Sequence, residues 1–254
     1  MQSFSSSGVT IAFIDVEPAV PDRNEPIVLV HGFASNHAVN WVNTGWVKLL
    51  AADGRRVIAL DNRGHGKSER LYDPAAYAAP VMARDVLNLL DHLGLARADV
   101  MGYSMGARIT AFLAYAHPQR VRAALLGGLG IKLVDGVGLP PTIAEAMEAD
   151  SVSDLSDPTQ RMFRSFAEST GSDLRAMAAC IRGSRQTLDE AQVRSIDLPV
   201  LVSVGTVDHV AGKAAPLAAL LPQGRTLDIP GRDHNLAVGD RTHKDGVLAF
   251  LRSI

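Results

Sequence analysis

Short apolar runs alternate along this chain with longer segments in which apolar residues recur every three or four positions. Runs of about four to eight apolar residues are typical of strands buried on both faces of a sheet, and the longer periodic segments are typical of amphipathic helices. The alternation predicts an α/β fold with a mostly parallel sheet and helices on both faces. Strands are predicted over residues 9–16, 27–30, 57–60, 98–101, 121–126, 198–204 and 225–229, and helices over 41–53, 80–93, 108–116 and 242–252.

The alternation stops between residues 127 and 195, where no apolar run of the strand type occurs. These segments mix polar with apolar positions, so one face can pack against the rest of the protein while the other meets water. We therefore predict an α/β core made of residues 1–128 and 196–254, interrupted by a helical cap over residues 129–195. The helical patterns within this cap cover residues 142–149, 159–168 and 173–182.

Composition narrows the classes of protein to which the chain can belong. Hydrophobic residues make up 47% of its 254 residues, enough for a large core, which excludes a disordered or fibrous chain. The formal net charge is −2 and no long basic run occurs, so we expect neither a nucleic-acid partner nor an anionic membrane surface. Cys180 is the only cysteine, which excludes an intrachain disulfide and a cysteine-based metal cluster. Neither a secretory leader nor an apolar stretch of about 20 residues is recognisable, and we expect a cytoplasmic protein without a membrane span.

The strongest chemical signal is the pentapeptide Gly102-Tyr103-Ser104-Met105-Gly106, which matches the pattern G-x-S-x-G. It lies between a predicted strand and a predicted helix, where a sharp turn lifts a serine hydroxyl above the edge of the sheet. Glycines flank such a turn because side chains there would collide with neighbouring backbone. The turn also leaves the Met105 amide at a helix N-terminus, where it can donate to a developing oxyanion. Ser104 is therefore the candidate nucleophile.

A serine hydroxyl is a weak nucleophile and needs a base and an orienting acid. Asp208 follows the predicted strand 198–204, and His234 follows the predicted strand 225–229. Open α/β sheets place their functional groups beyond the carboxyl ends of strands, where both residues lie. We predict Asp208 as the acid and His234 as the base. Asp233 is the alternative acid, and its other interpretation is a loop residue that orients its own turn.

A second oxyanion donor is expected from the loop after an earlier strand. The buried strand 27–30 runs directly into His31-Gly32-Phe33, where Gly32 lets the backbone approach a substrate. The Phe33 amide is predicted to point at the same oxygen as the Met105 amide. We interpret His31 as a residue that orients this loop rather than as a catalytic group.

Gly66-Lys67-Ser68 follows a predicted strand and raises the alternative of a phosphate-binding loop. That loop would need glycine at position 61 and a helix directly afterwards, but the sequence has Asp61 and no helical pattern there. We therefore predict a structural loop in which Asp61 pairs with Arg63. No spacing typical of a metal site occurs in the sequence, and neither a metal nor a cofactor is expected.

Together these segments resemble the capped members of the α/β-hydrolase family, over nearly the whole chain. The resemblance implies an eight-stranded sheet whose second strand is antiparallel, with a helical cap inserted after strand six. It also implies a triad in the chain order Ser, Asp, His. Haloalkane dehalogenases and epoxide hydrolases are similar, but they carry aspartate where this chain has Ser104. The segments that carry the resemblance are His31-Gly32-Phe33, Asp61-x-Arg63-Gly64-x-Gly66-x-Ser68, Gly102-x-Ser104-x-Gly106, Asp208 and His234.

The predicted function is a serine hydrolase that cleaves small-molecule carboxylic esters through an acyl-enzyme, without a cofactor. The open alternatives are a carbon–carbon bond hydrolase, an enol-lactonase or a cofactor-free perhydrolase with the same triad, and a non-catalytic small-molecule receptor. Phe33 and Met105 in the core, and Phe163 and Met177 in the cap, are predicted to contact the substrate. Their apolar side chains would favour uncharged esters. The sequence predicts no oligomeric state.

Overall fold

One sheet, with its strand ends gathered at a common edge, organises the molecule. The computed structural model describes residues 1–21, 23–136 and 138–254; residues 22 and 137, in the predicted core and cap, lie outside the described residues. The strands are β1 (Gln2–Ser6), β2 (Val9–Val16), β3 (Ile27–Val30), β4 (Val57–Leu60), β5 (Ala98–Tyr103), β6 (Val121–Gly127), β7 (Val200–Gly205) and β8 (Gly224–Ile229). Their order in the sheet is β1-β2-β4-β3-β5-β6-β7-β8. β2 is antiparallel to both neighbours and the other pairs are parallel, which confirms the predicted fold class.

Burial explains which strands the sequence reveals. β3, β4, β5 and β7 are buried at every position, as expected for continuous apolar runs covered on both faces. Each predicted strand is present, and its ends are displaced by no more than two residues. The sequence does not predict β1, because Phe4 is the one apolar residue that it buries. The other inward position is Ser6, whose hydroxyl donates to Asp85 at 2.5 Å.

Two apolar layers cover the sheet, one on each face, and alternate residues of β3 belong to different layers. α1 (Trp46–Ala52) and α10 (Arg241–Leu251) cover one face. α2 (Ala79–His92), α3 (Met105–Ala116) and α9 (Ala214–Ala218) pack on the other. The helix predicted from residue 41 begins at Trp46, because Gly45 has a left-handed backbone with φ 82°. Residues 38–42 form a separate short helical turn.

Between β6 and β7 the described chain forms further helices, and we call residues 132–194 the inserted segment. Asp157 and Asp173 cap two of these helices by accepting hydrogen bonds from the amides of Gln160 and Ala176. The predicted helices at 142–149, 159–168 and 173–182 are confirmed. No described helix combines the length and the apolar character that a membrane crossing requires. The helices are α4 (Lys132–Asp135), α5 (Thr142–Glu148), α6 (Pro158–Ser169), α7 (Leu174–Gly183) and α8 (Glu190–Arg194).

Three histidines, His31, His65 and His243, are almost completely buried. Burial lowers the pKa of each, to about 3 for His65 and to about 4 for His243. The Nδ1 atom of His243 lies 3.1 Å from the Ala237 carbonyl oxygen, so it must donate. Nε2 then accepts from the Ser203 hydroxyl at 2.9 Å. The neutral imidazole is thereby held in one tautomer beneath the carboxyl edge of the sheet.

We expect the free energy of unfolding to fall as the pH drops from 6.5, the ordinary pKa of histidine, towards about 4. Above pH 6.5 these histidines are neutral in both states and add no pH dependence. Below it the unfolded chain binds protons that the folded protein does not bind. Each histidine that stays neutral contributes a slope of about 1.4 kcal/mol per pH unit. Urea unfolding at a series of pH values measures this slope.

The variant His243→Gln should show a slope that is smaller by about 1.4 kcal/mol per pH unit, because it lacks one of the titrating rings. Ser203→Ala is the matched control, because it removes the partner of His243 and keeps the titrating ring. It should lower stability without changing the slope. A wild-type slope in His243→Gln would contradict the neutral state of the buried ring.

Candidate active site

Ser104 lies in the turn between β5 and α3, and its backbone is strained. Its φ of 55° and ψ of −112° are values that residues other than glycine rarely adopt. A Cβ on Gly102 would collide with the Gly106 carbonyl, and a Cβ on Gly106 would collide with the Val30 and His31 carbonyls. The two glycines are therefore required by close backbone contact, as the sequence predicts.

The structure brings Ser104, His234 and Asp208 into one hydrogen-bonded chain. His234 Nε2 lies 2.9 Å from Ser104 Oγ, and His234 Nδ1 lies 2.8 Å from Asp208 Oδ2. A carboxylate can only accept, so Nδ1 carries the proton and donates to Asp208. Nε2 is then the acceptor for the Ser104 hydroxyl. This arrangement can supply a nucleophile, a base and an orienting acid.

The environment of Asp208 keeps its carboxylate ionised. Burial of the side chain, which is 0% exposed, acts to raise its pKa. The hydrogen bonds from His234 and from the amides of Ala211 and Val210 outweigh burial, so that the pKa of Asp208 lies below its usual range. The two amides donate to Oδ1 at 2.7 Å from Val210 and 3.0 Å from Ala211. Oδ2 thus remains available to His234 as a negatively charged acceptor.

The loop that carries His234 is held from below by Tyr103. The Tyr103 hydroxyl donates to the His234 carbonyl at 2.6 Å, and the two rings lie 5.6 Å apart between centroids. The alternative acid, Asp233, instead accepts hydrogen bonds from the amides of Asn235 and Leu236. Asp233 therefore orients its own turn, which is the second interpretation that the sequence allowed.

The loop after β3 passes close to the nucleophile, since a Cβ on Gly32 would lie 3.5 Å from Ser104 Cβ. Asn40 Oδ1 accepts from the Gly32 amide at 2.9 Å. His31 Nε2 accepts from the Asn62 amide at 2.9 Å, so His31 Nδ1 donates to the Gly32 carbonyl at 2.7 Å. His31 thus orients the loop, as expected. In the described part of the chain the Phe33 amide has no acceptor, and Met105, as the first residue of α3, has no intrahelical acceptor.

The pairing predicted between Asp61 and Arg63 is wrong. Arg63 pairs with Asp85 through two bonds of 2.7 Å. Asp61 accepts from the amide and ring of His37 and from the Lys67 amide, because the loop folds back over its carboxylate. Hydrogen bonds from His37 lower the pKa of Asp61, although burial alone would raise it. Within the described ranges, no group of three or more His, Cys, Asp or Glu side chains is placed to hold a metal ion.

Two cavities meet at Ser104. The larger has a volume of about 330 Å³, and Phe33, His234 and the predicted Phe163 line it. The smaller has a volume of about 40 Å³, and Phe33, Met105 and Arg108 line it. Met177 is 0% exposed and lines neither cavity. The predicted contact between Met177 and the substrate is therefore wrong, since Met177 is a core residue. Helical spacing alone does not distinguish a core position from a position that lines a pocket.

Sequence reasoning missed four residues of the site. Tyr103 occupies a position of G-x-S-x-G at which the pattern accepts any residue. Asn40 precedes the predicted helix 41–53 and carries no signal of its own. Phe166 lies within the predicted helix 159–168, whose periodicity does not separate it from packing residues. Arg108 did carry one, because a charged residue opens a strongly apolar predicted helix.

Comparisons with known proteins identify the family to which the fold belongs. A family model of the alpha/beta hydrolase fold matches residues 25–149. A dihydrolipoyllysine-residue acetyltransferase component of the acetoin cleaving system of Pseudomonas putida is 34% identical over 245 residues, covering 89% of this chain. The match spans 63% of that relative, so this chain corresponds to less than two thirds of its length.

In two further matches, the aligned region covers most of this chain and most of the matched protein. A candidate non-heme bromoperoxidase of Mycobacterium tuberculosis is 32% identical over 74% of this chain and 79% of its own length. The enol-lactonase of Burkholderia xenovorans has a TM-score of 0.80 at 22% identity, over 99% of this chain and 100% of that one. That structural likeness concerns the fold alone. With its single antiparallel second strand, its strained serine after β5 and these matches, the chain belongs to the α/β-hydrolase family.

Proposed function

We propose that this protein is a serine hydrolase that cleaves small-molecule carboxylic esters through an acyl-enzyme. The observation that carries the proposal is the hydrogen-bonded chain from Ser104 through His234 to Asp208. The strained turn directs this chain towards a cavity large enough for a small organic molecule. The same proposal keeps the expectations of a cytoplasmic location and of no nucleic-acid partner.

In the proposed reaction, Ser104 Oγ attacks the ester carbonyl carbon while His234 Nε2 takes the hydroxyl proton. The carbonyl oxygen becomes an oxyanion, which the amides of Phe33 and Met105 stabilise. The bond to the alcohol oxygen then breaks, His234 returns the proton to that oxygen, and the acyl group stays on Ser104. Asp208 holds the imidazole and stabilises its charged form. Water activated by His234 releases the acid in the second half of the reaction.

The two cavities indicate where the alcohol half and the acyl half of the ester would bind. The leaving oxygen must lie near His234 Nε2 to receive its proton. Of the two cavities, the larger is the one that His234 lines, so we place the alcohol half there and the acyl half towards the smaller cavity. Phe163 and Phe166 on α6 border the larger cavity, and the inserted segment in this proposal is the cap predicted over residues 129–195.

The alternatives use the same residues. Enol-lactone or carbon–carbon bond hydrolysis, or perhydrolysis, would begin at Ser104 and differ in the bond that breaks or in the acceptor. A non-catalytic receptor would bind a small molecule without turnover. Hydrolysis of a 4-nitrophenyl ester separates an enzyme from a receptor, and matched esters, enol-lactones and ring-cleavage products identify the bond.

Ser104→Ala should abolish ester turnover and leave the fold intact, because the hydroxyl lies outside the packed core. We expect kcat to fall by roughly 10⁴-fold or more, the scale seen when a triad nucleophile is removed. Steady-state kinetics on purified protein, with circular dichroism as the test of folding, measure the effect. Retention of more than about a tenth of the activity would contradict the assignment of the nucleophile.

Asp208→Asn should lower kcat by about 10³- to 10⁴-fold, because an amide leaves His234 in the wrong tautomer. Asp233→Asn is the matched control, since it changes a neighbouring aspartate that contacts backbone amides of its own turn. Its effect on kcat should be smaller than about 10-fold. If Asp233→Asn were the more damaging variant, the acid would be wrongly identified.

Phe163→Ala should shift the preference among acetate esters towards bulkier alcohols, because it enlarges the larger cavity. Met177→Ala is the control, since it removes a side chain of similar size from the core. It should cost about 2–5 kcal/mol of stability and leave the order of preference unchanged. The measurement is kcat/KM for methyl through octyl acetates, together with urea unfolding. The same preference in Phe163→Ala and wild type would place the alcohol elsewhere.

A further inference from the structure

Among the described residues, Arg108 differs from the other buried arginines in having no anionic partner. It is 4% exposed, and no described carboxylate lies within 4.0 Å of its guanidinium. A buried charge without a counter-ion is costly, so this exception requires a physical reason. The other buried arginines among the described residues each have a carboxylate partner: Asp99 for Arg55, Asp85 for Arg63 and Glu168 for Arg164.

Backbone carbonyls accept some of the hydrogen bonds that the Arg108 guanidinium can donate. Nη1 donates to the Gln186 carbonyl at 2.7 Å and to the Leu133 carbonyl at 3.5 Å, and Nη2 donates to the Lys132 carbonyl at 2.7 Å. Nε donates to no described group. A guanidinium has five N–H groups, and these contacts leave two of them. Two N–H groups are what a carboxylate accepts in a bidentate pair.

A second arginine adds positive charge at the same place. Arg185 donates to the carbonyl of Leu139, which lines the smaller cavity, and it too has no described carboxylate within 4.0 Å. Burial, and then the charge of Arg185, lower the pKa of Arg108 to about 10. Arg108 therefore stays protonated at neutral pH. The smaller cavity lies beside two cations that the described protein does not neutralise.

The position of Arg108 connects this charge to the reaction. The Arg108 amide donates to the Ser104 carbonyl at 3.1 Å, so Arg108 lies one helical turn after the nucleophile. Such residues have Cβ atoms about 5–6 Å apart. Ser104 and Arg108 both line the smaller cavity, whose volume is about 40 Å³. This volume admits a group of only a few atoms. Arg108 is the one charged residue among the described lining, which is otherwise mostly apolar.

We propose that the smaller cavity binds a free carboxylate on the acyl half of the substrate, with Arg108 as the specificity-determining residue. The substrate class is then a monoester of a short dicarboxylic acid. This inference rests on the proposed ester hydrolysis, and it refines the expectation of uncharged esters: the apolar larger cavity takes the alcohol, and one negative charge lies at the acyl end. The short path from Ser104 to Arg108 limits the acid to a few carbon atoms.

A purely structural role for Arg108 makes a different prediction. The three carbonyl contacts join α3 to the inserted segment, and losing them would weaken the site for every substrate alike. A carboxylate subsite instead makes the loss depend on the charge of the substrate. The ratio of kcat/KM between a charged and a neutral ester therefore separates the two roles.

The experiment compares the release of ethanol from ethyl hydrogen succinate and from ethyl methyl succinate, which reports cleavage of the same ethyl ester bond in both. In the wild type we expect the charged ester to be favoured by about 10- to 100-fold in kcat/KM, the range of a charge-assisted hydrogen bond. Arg108→Met should remove this preference. Arg108→Lys, which keeps the charge but not the two-pronged geometry, should retain part of it. Equal kcat/KM for both esters in the wild type would overturn the proposal.

Arg164→Met is the matched control, because Arg164 is also buried and donates to backbone carbonyls of the inserted segment. It should lower both rates together and keep their ratio. An unchanged ratio in Arg108→Met would assign Arg108 a structural role. Acetoxyacetate against ethyl acetate tests the alcohol side, and a preference for acetoxyacetate alone would overturn the placement of the carboxylate on the acyl half.

Binding measurements separate this inference from the proposed function. Calorimetric titration with monomethyl succinate tests the anion subsite in protein that carries Ser104→Ala, where no turnover is required. Adding Arg108→Met should weaken its affinity by about 10-fold or more. Equal affinities would overturn the subsite even if esters are hydrolysed. Conversely, weakened binding in a protein that cleaves no ester would retain the subsite and reject the hydrolase.

Discussion

The strained backbone of Ser104 persists because the elements on both sides of it are packed on all faces. A positive φ at a residue other than glycine costs about 1–3 kcal/mol, so the surrounding structure must enforce it. β5 is buried at every position, and α3 is buried from Met105 through residue 114. Gly106 lets the start of α3 contact the end of β3. The place of the hydroxyl therefore depends on the packing of the sheet, and every other feature of the site is arranged around it.

The base, His234, is held by residues that adjoin the buried strands around the nucleophile. Tyr103, next to the nucleophile, donates to the His234 carbonyl, while Asp208 at the end of β7 accepts from the His234 ring. His243 bonds both to β7 through Ser203 and to the backbone that follows His234 through Ala237. Each of these contacts joins a loop to a buried strand or helix. The buried core thus fixes the positions of the loops that carry the site.

Charge is distributed differently at the two ends of the sheet. At the amino end, Arg55 and Arg122 share the buried carboxylate of Asp99, so cations and anions compensate each other there. At the carboxyl end, Arg108 depends on backbone carbonyls beside the nucleophile. In the first arrangement, protein carboxylates supply the anionic partners of the arginines. The second leaves positive charge at the one edge where a substrate can supply the missing anion, which connects the electrostatics of the fold to its chemistry.

Local patterns in the sequence predict the buried strands and the nucleophile. Apolar runs identify the buried strands, and G-x-S-x-G identifies Ser104, because those signals lie within a few residues. Asp208 and His234 follow from their places after strands, since parallel strands end at one edge. The partner of Arg63, the burial of Met177 and the isolation of Arg108 were decided by tertiary structure alone. Each depends on which distant segments meet, and a periodic pattern specifies the face of a helix without specifying what covers it.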